Sequence, residues 1–196
     1  MAGKFLWILD NGHGKATPGK RSPVLDDGRQ LLEYEFTRDI VKRLMALMDA
    51  NGLDYHLLVP EVEGDIPLSV RVDRANNLQT PLKKLYLSIH ANAAGDDWSN
   101  ASGIETFCYR FASQSERLAK IFQSNLITTL GWRDRGVKEE SFYVLKHTQM
   151  PAILTENGFY SNLEECKKLL SDDWRELIAK AHYLAVSETE NIGYNF

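Results

Sequence analysis

The sequence has little of what defines several protein classes. Only two cysteines occur among 196 residues, Cys108 and Cys166, and they are far apart, with no C-x-x-C spacing. We therefore expect two buried thiols in a reduced compartment rather than a disulfide framework. No apolar run approaches the roughly 18 residues that a membrane span needs, so no membrane span is expected.

Neither positive nor negative residues are in large excess. The formal net charge is only −4, and no basic stripe is interleaved with aromatic residues. This composition gives no reason to expect a nucleic-acid partner. The first residues lead directly into an apolar strand pattern, without a charged region, an apolar segment and a cleavage site, so no signal peptide is visible.

Enough apolar sequence is present for one ordinary domain. The hydrophobic fraction is 43% and the charged fraction 26%, which is typical of a globular protein. A chain of this length buries a sizeable core. We therefore expect a single domain over residues 1–196, without internal repeats, and a monomer.

Strand patterns alternate with helix patterns along the chain. This alternation predicts an α/β fold, a single-domain sandwich with a largely parallel central sheet flanked by helices. Strands are predicted at residues 5–9, 55–59, 85–90, 104–109, 142–145 and 152–155. Helices are predicted at 31–49, 67–78, 113–130, 162–170 and 172–188, and a charged loop at 132–140.

Three of these strands are followed or ended by a residue suited to catalysis. His13 follows the first strand, between Gly12 and Gly14, and the two glycines are expected to give the turn its backbone freedom. His90 ends a second apolar run and Glu156 a third. Because ligands collect at the carboxyl ends of strands in open α/β sheets, we expect these side chains to form one site.

Two histidines at strand ends favour a shared metal ion. Zinc suits two imidazoles and a carboxylate, with a fourth position left open. On residue chemistry alone the third ligand is Asp10, Glu33, Glu35 or Glu156. Glu156 has a second interpretation as a general base, because burial raises the pKa of a carboxyl group, and a third as a cap of the next helix.

Four segments in this order resemble the zinc-dependent N-acetylmuramoyl-L-alanine amidases of the amidase-3 type. They are LDNGHG at 9–14, RVDRAN at 71–76, SIHANA at 88–93 and PAILTENGFYSN at 151–162. The resemblance extends from about residue 5 to residue 185. Departures at Asn11, Lys15 and 59–60 concern loops and leave every candidate ligand in place.

The resemblance implies an enzyme that cuts the amide between the lactyl group of muramic acid and the first alanine of peptidoglycan. His13, Glu33 and His90 would hold one zinc ion, with Glu35 as the less favoured rival of Glu33. Zinc-bound water would be the nucleophile, and Glu156 would act as general acid and base.

The implied partners are peptidoglycan or muropeptides, and the implied place of action is the cell wall, in the periplasm or outside the cell. The loop with Lys15, Lys20 and Arg21 is a candidate for holding carboxylates of the peptide stem, or is a solvated loop. Asn92 would bind substrate or close its own turn. No separate cell-wall-binding domain is expected.

Two alternative functions remain at this stage. A zinc carboxypeptidase-like enzyme would use the same ligands on a bond within the stem peptide. A non-catalytic wall-binding module would keep the fold, but it has no need of three metal ligands and an additional glutamate. Products of peptidoglycan digestion separate these hypotheses.

Overall fold

The computed structural model describes residues 3–111 and 113–192. The strands are β1 (Phe5–Asn11), β2 (Tyr55–Leu57), β3 (Lys83–Asn92), β4 (Ile104–Cys108), β5 (Asp134–Glu139) and β6 (Ala152–Phe159). The helices are α1 (Glu33–Ala50), α2 (Leu68–Asn77), α3 (Gln114–Leu130), α4 (Tyr143–His147), α5 (Leu163–Leu169) and α6 (Asp172–Ile192).

The six strands form one sheet in the order β2-β1-β3-β6-β4-β5. β2, β1, β3 and β6 are parallel to one another, whereas β4 pairs antiparallel with β6 and parallel with β5. The predicted α/β fold with a largely parallel sheet is therefore confirmed. The carboxyl ends of the four parallel strands lie along one edge of the sheet.

The sheet has a hydrophobic core on each face. The larger core packs α1, α3, α5 and α6 against side chains such as Trp7, Leu87 and Ile153. The smaller core packs α2 and α4 against Ile8, Tyr86 and other residues of the opposite face. Since side chains alternate along a strand, His90 and Glu156 share the face of Tyr86, where α2 and α4 leave room for a cavity.

Local sequence explains the ends of α3. The Ser113 side chain accepts a hydrogen bond from the Glu116 backbone N–H, and Gly131 ends the helix in the left-handed conformation. A serine oxygen satisfies an N-terminal donor, and glycine adopts positive φ without steric cost. The predicted start and end of this helix are confirmed.

Three local predictions are wrong. The predicted charged loop at 132–140 contains β5, an edge strand paired with β4. The predicted strand at 142–145 is instead the short helix α4. Glu156 does not end β6, which continues to Phe159 beyond an irregular register between β3 and β6.

Both cysteine thiols are buried and free. None of the helices in the described part of the chain is long and apolar enough to cross a membrane.

Candidate active site

A cavity of about 570 Å³ opens beside the ends of β1 and β3. His13, His90 and Glu156 all line it, so the structure brings the three predicted residues together. The rest of the lining is largely an apolar wall, which comes from the start of α2 and the segment before it, from the start of α4 and the residue before it, and from β6. Its residues are Ile66, Pro67, Leu68, Phe142, Tyr143, Val144 and Leu154.

His13 is held at the end of β1 by a strained turn. Its φ is +64°, and neither Gly12 nor Gly14 has positive φ, so the expected role of the two glycines is wrong. Glycine is needed for space instead. A Cβ at Gly12 would lie 2.1 Å from His90 Cε1, and one at Gly14 would lie 2.0 Å from the Gly64 carbonyl oxygen. The strain at His13 is of the kind that clusters at functional sites.

Two side chains of α1 hold this turn in place. The Thr37 hydroxyl donates to the Gly12 carbonyl oxygen at 2.9 Å, and Arg38 Nη1 donates to the His13 carbonyl oxygen at 2.9 Å. Arg38 also donates through Nη2 to the Glu61 carbonyl oxygen at 2.6 Å. The imidazole of His13 therefore projects from a backbone that is fixed from several directions.

Glu33 opens α1 and places its carboxylate between the two imidazoles. Its Oε1 accepts hydrogen bonds from the Ala91 backbone N–H at 3.2 Å and from His90 Nδ1 at 3.0 Å. Its Oε2 lies 3.3 Å from His13 Nε2. Burial opposes ionisation of this carboxyl, but contacts with both histidines dominate and lower the pKa of Glu33 to about 2. Glu33 is therefore an anion in the site.

The donor set fits a zinc ion. One ligand atom from each of His13, Glu33 and His90 lies within 4.8 Å of the others. Glu33 Oε2 is also buried and accepts no hydrogen bond from residues 3–111 or 113–192. Two imidazoles and one carboxylate are ligands that zinc accepts, and an unsatisfied buried carboxylate oxygen is costly unless it binds a cation. Glu35, the rival ligand, is exposed and bonded to the Tyr34 hydroxyl.

Glu156 lies beside this cluster on the same face of the sheet. It is directly opposite His90 in the β3–β6 pairing. Burial is the main cause that raises the pKa of Glu156 to about 8, with the negative charge of Glu33 adding to it. No described residue forms a hydrogen bond with its Oε2. A carboxyl group that changes protonation near neutral pH is suited to proton transfer.

A buried ion pair supports the floor of the site. Asp10 pairs with Arg71 Nη1 at 2.5 Å and accepts hydrogen bonds from the hydroxyls of Tyr86 and Ser88 at 2.8 and 2.9 Å. Burial acts against its ionisation, but Arg71 and the other partners hold the pKa of Asp10 below its ordinary value. Asp10, considered above as a metal ligand, is therefore fully engaged elsewhere.

The predicted substrate-binding residues lie in different surroundings. Asn92 donates to Glu105 Oε1 at 2.6 Å and accepts from the backbone N–H of Ala93 at 2.8 Å. Lys15 pairs with the exposed Glu63 at 3.4 Å. Arg21 is exposed, outside the cavity lining, and its backbone forms a bridge with Leu32. Their roles toward substrate stay predictions.

Sequence reasoning missed two contributions. The apolar wall from α4 was hidden because residues 142–145 have the pattern of a strand. Arg38 was overlooked because nothing in a helical sequence shows that a guanidinium reaches the backbone of a distant turn. The segment RVDRAN at 71–76 contributed to the family resemblance but did not indicate the ion pair between Arg71 and Asp10.

Together, the fold and the cluster define a class of candidate site: an α/β domain with a His-Glu-His cluster that could hold a metal ion and an adjacent glutamate. This set of residues is suited to metal-assisted hydrolysis. Residues 8–188 match the family model described as N-acetylmuramoyl-L-alanine amidase. The chain belongs to this family, which confirms the resemblance inferred from its motifs.

Individual relatives agree. The chain is 37% identical over 184 residues to N-acetylmuramoyl-L-alanine amidase LytC of Bacillus subtilis, covering 92% of this chain but 34% of that protein. It is 29% identical to the endolysin of Bacillus phage SPP1, covering 96% of this chain and 67% of that protein. The chain thus spans about a third of the length of LytC.

A solved structure shows the same fold. The crystal structure of N-acetylmuramoyl-L-alanine amidase from Clostridium difficile 630 matches with a TM-score of 0.83 and 28% identity, covering 98% of this chain and 100% of that one.

Proposed function

We propose that this chain is a zinc-dependent hydrolase of peptidoglycan, cutting the amide between the lactyl group of N-acetylmuramic acid and L-alanine. The observation that carries the proposal is the position of Glu156. Its carboxyl group, whose Oε2 has no hydrogen-bond partner among the described residues, lies beside a His-Glu-His cluster in one cavity, in a chain of the amidase family. Action on peptidoglycan places its work at the cell wall.

His13, Glu33 and His90 would hold the zinc ion. A bound zinc ion supplies Lewis acidity, which brings the pKa of water toward 7 and polarises a carbonyl group. Glu33 contributes the negative charge of the ligand set. The hydrogen bond from the Ala91 N–H and the restrained turn at His13 hold the ligands in place before metal binds.

Glu156 performs the proton transfers. As a carboxylate it takes one proton from the water that attacks the lactyl carbonyl carbon, while the water oxygen bonds to that carbon. As a carboxylic acid it then returns the proton to the alanine nitrogen as the C–N bond breaks. The second proton of the water leaves the new carboxylic acid and ends on the amine, so the products are a muramic acid carboxylate and a peptide with a free, protonated amino terminus. The raised pKa of Glu156 suits both steps.

The apolar wall limits water at the reacting bond. Phe142, which caps α4, and Tyr143, its first residue, line the same cavity as Glu156. Exclusion of bulk water strengthens the electrostatic contacts that stabilise developing charge.

Mass spectrometry of digested peptidoglycan tests the reaction. The zinc-loaded protein should release intact stem peptides with a free alanine amino group. Glu156→Gln should retain stoichiometric zinc and lose turnover by about 100- to 10,000-fold. Cleavage within the stem would instead establish a peptidase, and normal turnover in Glu156→Gln would remove Glu156 from its role.

Metal analysis tests the ligand set, with a matched pair of variants. Glu33→Gln should bind zinc much more weakly than the unmodified protein. Glu35→Gln, two residues along the same helix, should keep full zinc affinity. The reverse result would exchange the roles of the two glutamates.

A further inference from the structure

The charges on the cavity lining are unevenly distributed. Besides the two histidines, its basic residues are Lys20 and Arg71. Arg71 is buried and uses its guanidinium on Asp10, Asp65 and the carbonyl oxygens of Asn11 and Ile66. Lys20 is exposed and, within residues 3–111 and 113–192, has no ion-pair partner. In the described part of the chain, Lys20 is thus the basic lining residue that is left without an ion-pair partner.

The rest of the lining is unfavourable for an anion. Asp10 and Asp65 lie on the side of Arg71 and would repel a carboxylate. The wall formed by α4 offers apolar side chains, and a carboxylate loses its hydration there without gaining a partner. Apart from the candidate metal site itself, the described part of the lining therefore favours a negative charge on a bound molecule only on the side near Lys20.

Lys20 is also tied to the metal cluster. Its carbonyl oxygen accepts a hydrogen bond from the Glu33 backbone N–H at 3.0 Å. Lys20 lines the same cavity as His13 and Glu156, so its ammonium group faces the space in front of both side chains. A carboxylate held by Lys20 would therefore lie close to the bond that the site attacks.

We propose that Lys20 determines substrate specificity by binding a free carboxylate on the residue that follows the scissile alanine. This inference rests on the proposed function and deepens it. It assigns as preferred substrate a muramoyl peptide whose second residue is acidic and unamidated. The other basic residues of the loop are less suited, since Lys15 is paired with Glu63 and Arg21 lies outside the lining.

Calorimetric binding to the zinc-loaded Glu156→Gln protein tests this inference. Two probes are compared, N-acetylmuramoyl-L-alanyl-glutamate with a free α-carboxylate and the same compound as the α-amide, each with its γ-carboxyl amidated. The Glu156→Gln background prevents turnover. It also removes any effect that Lys20 has through the charge of Glu156.

The carboxylate probe should bind about fivefold more tightly than the amide, as an exposed ion pair allows, and added salt should reduce this preference. Lys20→Met should abolish the preference and Lys20→Arg should keep it. Lys42→Met, an exposed lysine of α1 outside the cavity lining, should also keep it.

Three results would overturn the inference: equal binding of both probes, a preference that survives in Lys20→Met, or a preference lost instead in Lys15→Met or Arg21→Met. Turnover of both probes by the unmodified zinc-loaded protein is measured separately. A Lys20-dependent preference without any cleavage would leave the carboxylate site standing and reject the amidase function.

Discussion

Among single residues, Glu156 shows most directly how the site competes with stability. Its carboxyl is held by the fold where ionisation is unfavourable, and one of its oxygens is left unsatisfied. A group of this kind is useful for moving protons and costly for the folded state. Proteins accept such costs where function requires them.

Glu156→Gln should therefore stabilise the metal-free protein in a pH-dependent way. The pKa of Glu156 rises from 4.5 to about 8 on folding, so between these values the folded state holds a proton that the unfolded chain has lost. Stability from this group is present at low pH and falls as pH rises through that window. Urea unfolding in EDTA should show a larger gain for Glu156→Gln at pH 8 than at pH 5.

The exposed Glu35→Gln is the control for this experiment, and its stability should follow that of the unmodified protein at both pH values. An equal effect of Glu156→Gln at pH 5 and pH 8 would contradict the raised pKa.

His182 has the opposite dependence on pH. It is buried. Its Nε2 lies 3.0 Å from the Thr155 hydroxyl, and its Nδ1 lies 2.8 Å from the Ile178 carbonyl oxygen. Because a carbonyl only accepts, Nδ1 carries the proton and neutral Nε2 accepts from Thr155. Burial lowers the pKa of His182 from 6.5 to about 4.

Acid should thus destabilise the protein through His182. Between pH 6.5 and pH 4 the unfolded chain binds a proton that the folded state excludes, so this stability is present above pH 6.5 and is lost as pH falls. The loss amounts to about 3 kcal/mol. Urea unfolding in EDTA at pH 7 and pH 4 should show it in the unmodified protein but not in His182→Gln. If the unfolding free energies of the two proteins fell in parallel as pH is lowered, the acid sensitivity would belong to groups other than His182.

Sequence predicts the individual site residues unevenly. His13 and His90 follow from apolar runs that stop at a histidine. Glu33 could be chosen over Glu35 only through the family resemblance, because which of two nearby glutamates turns inward depends on where α1 docks. Lys20 could not be separated from Lys15 and Arg21, since the partner that occupies Lys15 is about fifty residues away in the chain.

At the level of elements, the turn after β1 illustrates a constraint of space. Gly12 approaches the ring of His90 so closely that any side chain would displace the imidazole. The turn after β1 and the imidazole ring of His90 on β3 are therefore packed directly against each other.

Gly12→Ala should weaken zinc binding by about 10- to 100-fold, because the added methyl group pushes the His90 ring from its position. Competition with a zinc-binding dye measures this effect. Gly64→Ala is the control, since a Cβ there meets nothing within 4 Å. Unchanged zinc affinity in Gly12→Ala would show that the His90 ring and the turn can move apart without weakening the metal site.

Elements with clear periodicity were predictable, and short ones were not. The sequence of β5 is charged at most positions because it is an edge strand, where polar side chains on both faces are tolerated. The apolar run at 142–145 is too short to distinguish a strand from one turn of helix. Its helical form in α4 depends on packing against α2 and β6, which no local pattern encodes.

At the scale of the whole molecule, Glu190 of α6 joins the last helix to the first strand. Its Oε2 accepts from the Lys4 backbone N–H at 2.7 Å and its Oε1 from Trp7 Nε1 at 3.0 Å. Trp7 is fully buried in the larger core. A single carboxylate thus connects residues at opposite ends of the sequence.

Glu190→Ala should destabilise the protein by about 2–3 kcal/mol, because it leaves the buried Trp7 N–H without an acceptor. Glu190→Gln keeps one amide oxygen as acceptor and should lose less stability than Glu190→Ala. Urea unfolding at pH 7 gives both values. A Glu190→Ala protein as stable as the unmodified one would mean that the indole N–H finds another partner.

This junction also has a consequence for how the domain is built into larger proteins. β1 begins beside Glu190 and ends at Asn11, two residues before His13, so its length of roughly 20 Å separates this junction from the cavity. A segment fused before β1 or after α6 therefore leaves the domain on the side away from the catalytic mouth. Both attachment points keep the mouth clear for a bulky polymer, and they are near enough in space for the chain to be circularly permuted there.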